Sequence, residues 1–558
     1  MNENEKRPLS AQLTLRGMLI GALGAVILTC SSMFVALKAS ALPWPILFVT
    51  LVSVFSLKAL GGTNVNEINV THTAMSAGSM VAGGLAFTVP GIFILNNNAE
   101  VGIWQMLVVT LGGTVLGLIF TALLRRHFIE EANMPFAMGQ AAAEVVKITD
   151  SAEPEESEKS DRLDLSGNKA AAVLFGSLGV SGVWTWLRDK AALIPACTWF
   201  KGMQKYGSLG GIWWSPMLMA VGYIVGPATI AVWFLGALIG DVGILIGGQS
   251  LGLWDSAAAS GIKSSLGLGW MVGVGLAITV KEIAPRAKQM FSGMFARSEG
   301  RGTPAAVAMS AAVLVLALLF IFVLDLPVLA VIITLLGAWL TTAMSSQCVG
   351  QSGINPMEVF GIFIMAIAKL CCRLDVQQAV FVAAVIAIAA GLTGDVMNDF
   401  KSGSMLRTDP RAQWIAECIG GIIGAVTAVG VLTILVRAYG GGVFGSERFP
   451  AAQAAAVASV VGGIANVPVF FGGLIASIVV YCITPAFTML GLGIYLPFYL
   501  SFTAFIGGVV RLVLSKLSPR VAGGNGGEIA AAGLLAGEGF IGVVVALIQA
   551  FGMIAGAQ

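Results

Sequence analysis

The stretch GGTNVNEINVTHTAMSAGSM, residues 61–80, decides how this chain is read. Asn64, Asn66, Glu67, Asn69, Thr71, His72 and Thr73 crowd into about three helical turns of a sequence that is apolar for long distances on either side. On a helix, Asn66, Asn69, Thr73 and Ala77 share one face. Glu67, Thr71 and Gly78 share a second, and His72, Ser76 and Ser79 a third. No face of the first turns suits lipid, since a charge at the bilayer centre costs about 2.5–3.5 kcal/mol on insertion scales. The segment is therefore expected to be a membrane helix that faces protein or water all round. Small hydroxyls often hold membrane helices together, which suffices for Ser76, Ser79 and Thr71. Asn66, Glu67, Asn69 and His72 together point to a cavity.

Composition supports a membrane setting for that helix. The chain of 558 residues is 57% hydrophobic and 11% charged, holds 71 glycines, and has a mean hydropathy of +0.89. Soluble domains carry roughly 25% charged residues, and a single soluble core stops growing near about 250–300 residues. Runs of about 20 apolar residues read as spans. The fold class is an all-α polytopic integral membrane protein. Spans are expected near 14–37, 42–60, 67–89, 101–124, 169–187, 227–247, 264–283, 303–325, 327–346, 356–373, 376–395, 412–436, 467–491, 493–517 and 527–552. Shorter pieces at 133–148, 192–208, 213–226 and 450–464 read as half-helices or re-entrant hairpins, giving about 14–16 crossings. The breaks VGYIVGPAT (221–229) and ANVPVFFGG (465–473) are expected inside the bundle, because irregular backbone at membrane depth needs cover.

The hydrophilic segments divide the chain. A tail (1–13) with Lys6 and Arg7 precedes an N-terminal transmembrane half (14–280) that contains an acidic loop, TDSAEPEESEKSDRLDLSGN (149–168). A basic loop (281–303) leads into the C-terminal half (304–558). Lys and Arg gather in the tail, in 281–303, in 400–411 and in 516–520, and the positive-inside rule places these in the cytoplasm. The apolar run before ASA (39–41) is too long for a signal-peptide core and reads as the first span. The basic residues form no stripe, so nucleic acid is not a partner. The seven cysteines sit mostly in apolar runs without a CxxC and read as buried, inert thiols. No metal or cofactor site is assigned.

GGTNVNEINV (61–70) aligns with GQSGINPMEV (350–359). Gly61 pairs with Gly350, Thr63 with Ser352, Val65 with Ile354, Asn66 with Asn355 and Val70 with Val359. Transporters built from two repeat-related halves place their site between them. Asn355, Glu358 and Lys369 share a face in the second copy, and Pro356 suits a first helical turn. The two helix starts are expected to hold the two ends of one polar ligand. In MPFAMGQAAAEVVKI (134–148), Gln140, Glu144 and Lys147 share a face. Glu144 is either a ligand or proton group, or an interfacial residue paired with Lys147. Asp395, Asn398, Asp399 and Ser402 share a face at the end of a span, as site residues or as a solvated terminus. His72 titrates near pH 6.5 when unperturbed; it is a proton carrier beside Glu67 or a neutral interhelical residue. The substrate-binding set is Asn66, Asn69, Thr73, Gln140, Glu144, Asn355 and Glu358; the proton-coupling set is Glu67, His72, Asp395 and Asp399.

Taken together, NEINVTHTAMSAGSM (66–80), MPFAMGQAAAEVVK (134–147), SSLGLGWMVGVGL (264–276), DVMNDFKSG (395–403) and PRAQWIAECIGGIIGA (410–425) resemble the oligopeptide transporter family, including its yellow-stripe-like branch. The order fits from about residue 11 to 520. The resemblance implies about sixteen helices arisen by duplication, and proton-coupled import of oligopeptides, glutathione-like peptides or metal chelates. It implies a symporter rather than an enzyme. The eukaryotic peptide branch carries Asn-Pro-Gly where Asn355-Pro356 is followed here by Met357. Its Lys-Ile-Pro-Pro-Arg motif and large extramembrane segments are absent, which points to a compact prokaryotic member of the bacterial inner membrane, with a cytoplasmic N-terminus and lipid around it. The oligomeric state stays open, a homodimer included. Two other classes remain. One is a passive channel. The other is a membrane-bound pyrophosphatase, which needs several Asp-rich pairs, against one Asp-x-x-x-Asp (395–399) here. No Walker-type loop supports ATP-driven transport.

Overall fold

The structure, a computed structural model, describes residues 8–39, 46–150, 167–278, 280–281, 303–352, 355–462, 465–519 and 526–556. Most of the acidic loop 149–168 and of the basic loop 281–303 lies outside these residues. The first part contains α1 (Leu9–Gln12), α2 (Leu15–Ala39), α3 (Ile46–Ala59), α4 (Val65–Ala86), α5 (Pro90–Leu95), α6 (Ile103–Arg125), α7 (Ala137–Asp150) and α8 (Gly167–Asp189). A hairpin of β1 (Cys197–Trp199) and β2 (Gly211–Trp213) flanks the short α9 (Lys201–Gln204) and leads to α10 (Pro216–Val225), α11 (Pro227–Ala237) and α12 (Ser256–Ile278). The second part contains α13 (Thr303–Phe322), α14 (Val328–Ser352), α15 (Met357–Cys371), α16 (Val376–Leu406) and α17 (Pro410–Tyr439). It ends in α18 (Ala452–Gly462), α19 (Val467–Ile483), α20 (Leu490–Tyr495), α21 (Phe498–Leu517) and α22 (Gly526–Gly556). Among the described residues, eight helical segments are long and apolar enough to cross a membrane, in keeping with an all-α polytopic membrane protein.

The bundle is built around α16. Every residue from Ala379 to Gly403 is buried, and α4, α6, α7, α14, α15 and α17 all pack on this helix. Its ends follow from sequence. Asp375 accepts from the Gln378 N–H while the Gln378 side chain accepts from the Asp375 N–H, a capping box. At the other end Arg407 adopts a left-handed conformation (φ 57°). Asp409 then caps α17 by accepting from the Arg411 N–H, with Pro410 in the first turn. The span expected over 376–395 thus runs on to Leu406, with Asn398, Lys401 and Ser402 each donating to a protein acceptor.

Close helix contacts rest on small residues. A Cβ at Gly424 would lie 2.2 Å from the Cα of Gly78, and one at Gly420 would lie 2.0 Å from the carbonyl oxygen of Ala74. The backbones of α4 and α17 therefore touch, as small-residue crossings in membranes allow. Buried threonines hide their polarity locally. Thr88, Thr110, Thr114, Thr121, Thr334 and Thr342 each donate to the carbonyl one turn back.

Several sequence expectations need correction. Residues 192–208 are not a half-helix: Cys197 pairs with Trp213 and Trp199 with Gly211 in an antiparallel ribbon. Aromatic and β-branched residues between glycines favour this ribbon. The break at 465–473 is largely exposed on the protein surface; Asn466 caps the start of α19 by accepting from the Val469 N–H, so that start needs no protein cover. The break at 221–229 is only half-buried at Gly226, whose φ of +91° joins α10 to α11. Gly61 lies in a turn with φ +72° while its repeat mate Gly350 lies within α14, so the aligned copies differ locally before their helices begin. Only Cys30 and Cys348 among the seven cysteines are buried, and Cys371 and Cys482 are exposed.

Replacing Gly78 with Leu should lower the thermal unfolding temperature of the purified protein, since overpacking costs about 1–3 kcal/mol. Gly176→Leu, where nothing lies within 4 Å of an added Cβ, should leave it unchanged. Equal behaviour of the two variants would refute a tight crossing.

Candidate functional site

The Arg407–Asp409 turn sets the site. Asp399 lies eight residues before Arg407 and Glu417 seven after Pro410, so each carboxyl sits about 11–12 Å from the turn along its helix. The hairpin thus sets Glu417 of α17 beside Asp395 and Asp399 of α16. One oxygen from each of the three lies within 4.8 Å of the others. Asp395, Asp399 and Glu417 are 2%, 0% and 0% exposed. These residues therefore form no solvated helix terminus; they lie well inside the bundle.

Helix α4 closes the cluster. Ser76 donates to Oδ2 of Asp399 at 2.8 Å, and Nε2 of His72 lies 3.7 Å from Oδ1 of Asp399. His72, Thr73 and Ser76 are buried. Among the described residues, Oδ2 of Asp395, Oδ1 of Asp399, both oxygens of Glu417, both ring nitrogens of His72 and the hydroxyl of Thr73 have no hydrogen-bond partner. Such unpaired buried polar atoms are costly and call for an explanation. Three carboxylates this close in a dry interior cannot all keep their charge unless a cation neutralises them. The cluster can share protons among its carboxyls, or offer oxygen ligands to a hard cation. The sequence assigned no metal ligand; Asp395, Asp399 and Glu417 are the residues whose placement could hold one.

The other predicted residues divide. The Asn66 amide donates to the Leu406 carbonyl at 3.2 Å and to the Thr408 hydroxyl at 3.1 Å. Asn69 donates to the same hydroxyl at 3.2 Å and accepts from Ser402 at 2.9 Å. Both thus brace the end of α16 against α4. Glu67 is not beside His72, since five residues along a helix turn a side chain by about 140°. Its carboxylate instead takes Nε and Nη2 of Arg16 at 2.7 and 2.8 Å, with the hydroxyls of Thr14 and Thr63. Asn355 donates to the Ala390 carbonyl at 2.9 Å. Ala390 and Leu406 are sixteen residues apart on α16, about 24 Å. The two repeat-related helix starts therefore do not face one another across a single small ligand. Gln140 and Glu358 are half-buried on α7 and α15, and the Glu144 side chain lies outside the described residues. Asn398 accepts from the Gly139 N–H at 3.0 Å and so joins α16 to α7. Glu417 was missed by the sequence reading; its one signal is an acid within the apolar run QWIAECIGG.

The family described as OPT oligopeptide transporter protein matches residues 12–549. A Haemophilus influenzae protein provisionally named an oligopeptide transporter is 23% identical over 586 residues, covering 89% of each chain. The rice metal-nicotianamine transporter candidates YSL13 and YSL14 are 27% and 29% identical over 26% of this chain, covering 22% and 23% of their own lengths.

The crowding of carboxyls predicts an unusual stability response. Glu417→Gln removes one acid and should leave the unfolding temperature at neutral pH unchanged or raise it. Glu67→Gln should lower it by the equivalent of about 1–3 kcal/mol, the range for a lost charged hydrogen-bond partner. A large loss for Glu417→Gln and none for Glu67→Gln would overturn both assignments.

Proposed function

The chain belongs to the oligopeptide transporter family, and from that premise we propose that it is a proton-coupled secondary active importer of small oligopeptides or peptide-like metal chelates. The observation that carries the coupling is the buried group of Asp395, Asp399 and Glu417 with His72. A proton entering it removes charge that the dry interior tolerates poorly, and a proton leaving restores that charge. A carrier can use such a difference to favour one conformation over another, because a ligand shifts an equilibrium by its differential affinity for the two states. His72, Asp395 and Asp399 keep the coupling role read from the sequence, and Glu417 joins them. In this reading Glu67 serves through its pair with Arg16, and Asn66 and Asn69 through the hold on the α16 end. Thr73, Gln140, Glu144 and Glu358 belong to helices packed around α16, and Asn355 to the link that leads into α15; we place them along the proposed ligand path.

Orientation follows from charge. Arg16 meets Glu67, while Arg407 and Arg411 flank the turn that Asn66 holds. These arginines lie at the end of the bundle that also holds the start of the first long helix and the 400–411 segment, which the loop charges of the sequence assign to the cytoplasm, although Lys38, Arg188 and Arg448 lie at the other end. That reading sets the N-terminus inside and the protein in a bacterial inner membrane.

The test is uptake of labelled trialanine into proteoliposomes. The wild-type protein should accumulate it uphill under an inward proton gradient. Asp399→Asn and Glu417→Gln should lose at least tenfold of that accumulation while retaining peptide counterflow, which needs no net proton movement. Normal pH-driven accumulation in both variants would remove the cluster from coupling. Accumulation driven by a sodium gradient instead would assign the carboxyls to a metal cation, and uptake that stops at equilibrium in the wild type would mark a channel.

A further inference from the structure

Far from the Arg407–Asp409 turn, at the opposite end of α17, lies a cavity of about 360 Å³. That volume is at the small end of the roughly 300–1,000 Å³ typical of ligand pockets. Its walls come from places distant in sequence: Lys38 at the end of α2, Asp189 at the end of α8, Tyr439 at the end of α17, Trp213 of the hairpin and Tyr499 of α21. Arg448, in the chain between α17 and α18, completes it. None of these residues belongs to the carboxyl cluster.

The charges around this cavity are unequally satisfied. Arg188 is used up by the protein. Its Nε and Nη2 bind Asp189 at 2.7 and 2.8 Å, Nη2 also binds Glu538 at 2.9 Å, and Nη1 donates to the Trp214 carbonyl at 2.9 Å. Glu538 is further held by the Ser215 hydroxyl and the Met217 N–H. Lys38 differs. It is 8% exposed, and its ammonium lies over the rings of Trp213 and Phe34, 3.9 and 4.8 Å from their centroids. Among the described residues it has neither a hydrogen-bond acceptor nor a carboxylate within ion-pair reach. Aromatic faces stabilise a cation, but they accept no full set of hydrogen bonds from three N–H groups. Arg448 likewise lies over Tyr439, 3.9 Å from the ring centroid, with no carboxylate in ion-pair reach among the described residues. Two cations therefore face a small aromatic chamber with no carboxylate in ion-pair reach among the described residues; of the two carboxylates in its wall, Asp189 is tied to Arg188 and Glu447 is exposed. Trp199 and Tyr499 meet edge-to-face at 5.5 Å and supply apolar wall.

We infer that this cavity binds the carboxylate-bearing end of a small peptide-like ligand, with Lys38 and Arg448 as its anion contacts and the aromatic walls holding its body. The inference rests on the transport reading and deepens it, since it gives the ligand a place and a chemical class. A carboxylate supplies what Lys38 lacks, and charge-assisted hydrogen bonds are the strong kind. The cavity lies at the end opposite the proposed cytoplasmic side, where an importer captures its cargo.

The experiment is calorimetric titration of the full-length protein in detergent with Ala-Glu, Ala-Ala and the C-terminal amide of Ala-Ala. Ala-Glu should bind at least as tightly as Ala-Ala, and the amide at least tenfold more weakly than Ala-Ala. Lys38→Met keeps length and apolar packing and should weaken Ala-Glu at least tenfold with the ligand-free unfolding temperature held. Arg448→Gln, at an exposed position, should weaken it several-fold, and Lys38→Arg should keep part of the affinity. Equal binding of acid and amide, wild-type affinity in both charge-removing variants, or no binding of any probe to the wild type overturns the assignment. Uphill uptake of Ala-Glu by Lys38→Met with an unaltered KM would leave the transport reading standing and remove the cavity. Binding that depends on Lys38 in a protein that never accumulates the peptide would do the reverse.

Discussion

Helix α16 can carry charge because no face of it meets lipid. Its most apolar 18-residue window is wholly buried in protein. A lone ionised residue facing hydrocarbon would raise the cost of insertion, but here the polar residues between Thr393 and Ser402 are buried among other helices. Lys401 donates to Asn133 at 2.8 Å, Ser402 to Asn69, and Asn398 to its own Gly394 carbonyl at 2.9 Å. The helices around α16 are accordingly arranged to enclose it. The hairpin to α17 then supplies the third carboxyl, and the glycine contact between α17 and α4 brings in His72 and Ser76. Remove the enclosure and the acids have no reason to stay dry.

The first long helix serves both ends of the molecule. Near its start Arg16 grips Glu67 and the carbonyls of Gly61 and Gly62. Near its finish Lys38 enters the aromatic cavity. The two cations are separated by twenty-two residues, about 33 Å of helix. That separation matches the roughly 30 Å hydrocarbon core of a bilayer, which would bring each long charged side chain to a boundary, where it is cheapest to place. Between them the helix is apolar and packs along α4 and α17.

The fold was legible because hydropathy acts locally: each long apolar run had to become a helix wherever it ended up. The polar crowd at 61–80 was also legible as a buried surface, and α4 is indeed buried from Asn66 to Ala86. What each polar group does was not, since that depends on partners hundreds of positions away. Asn66 meets Thr408, Ser76 meets Asp399 and Glu67 meets Arg16; Asn66 and Glu67 were read as site residues, whereas Ser76, which reaches the carboxyl cluster, was read as a hydroxyl that holds helices together. Asp395 and Asp399 were visible through their four-residue spacing, while Glu417 had no neighbour in sequence to mark it. The aromatic cavity was hidden more thoroughly. Lys38, Asp189, Tyr439 and Tyr499 each sit at a helix end, where a polar or aromatic residue looks like an ordinary interfacial anchor. Only their convergence makes them a chamber.

The crossing at Gly78 and Gly424 also has an electrical meaning. Where two backbones touch, no gap is left for a thread of water, and a thread of water would conduct. A membrane that stores energy as a voltage loses it through any wire of that kind. The pair of glycines closes the seam beside the carboxyl cluster. An added methyl group there would part the helices rather than fill a void, so the same change that costs stability would also open the seam that keeps water away from the buried acids.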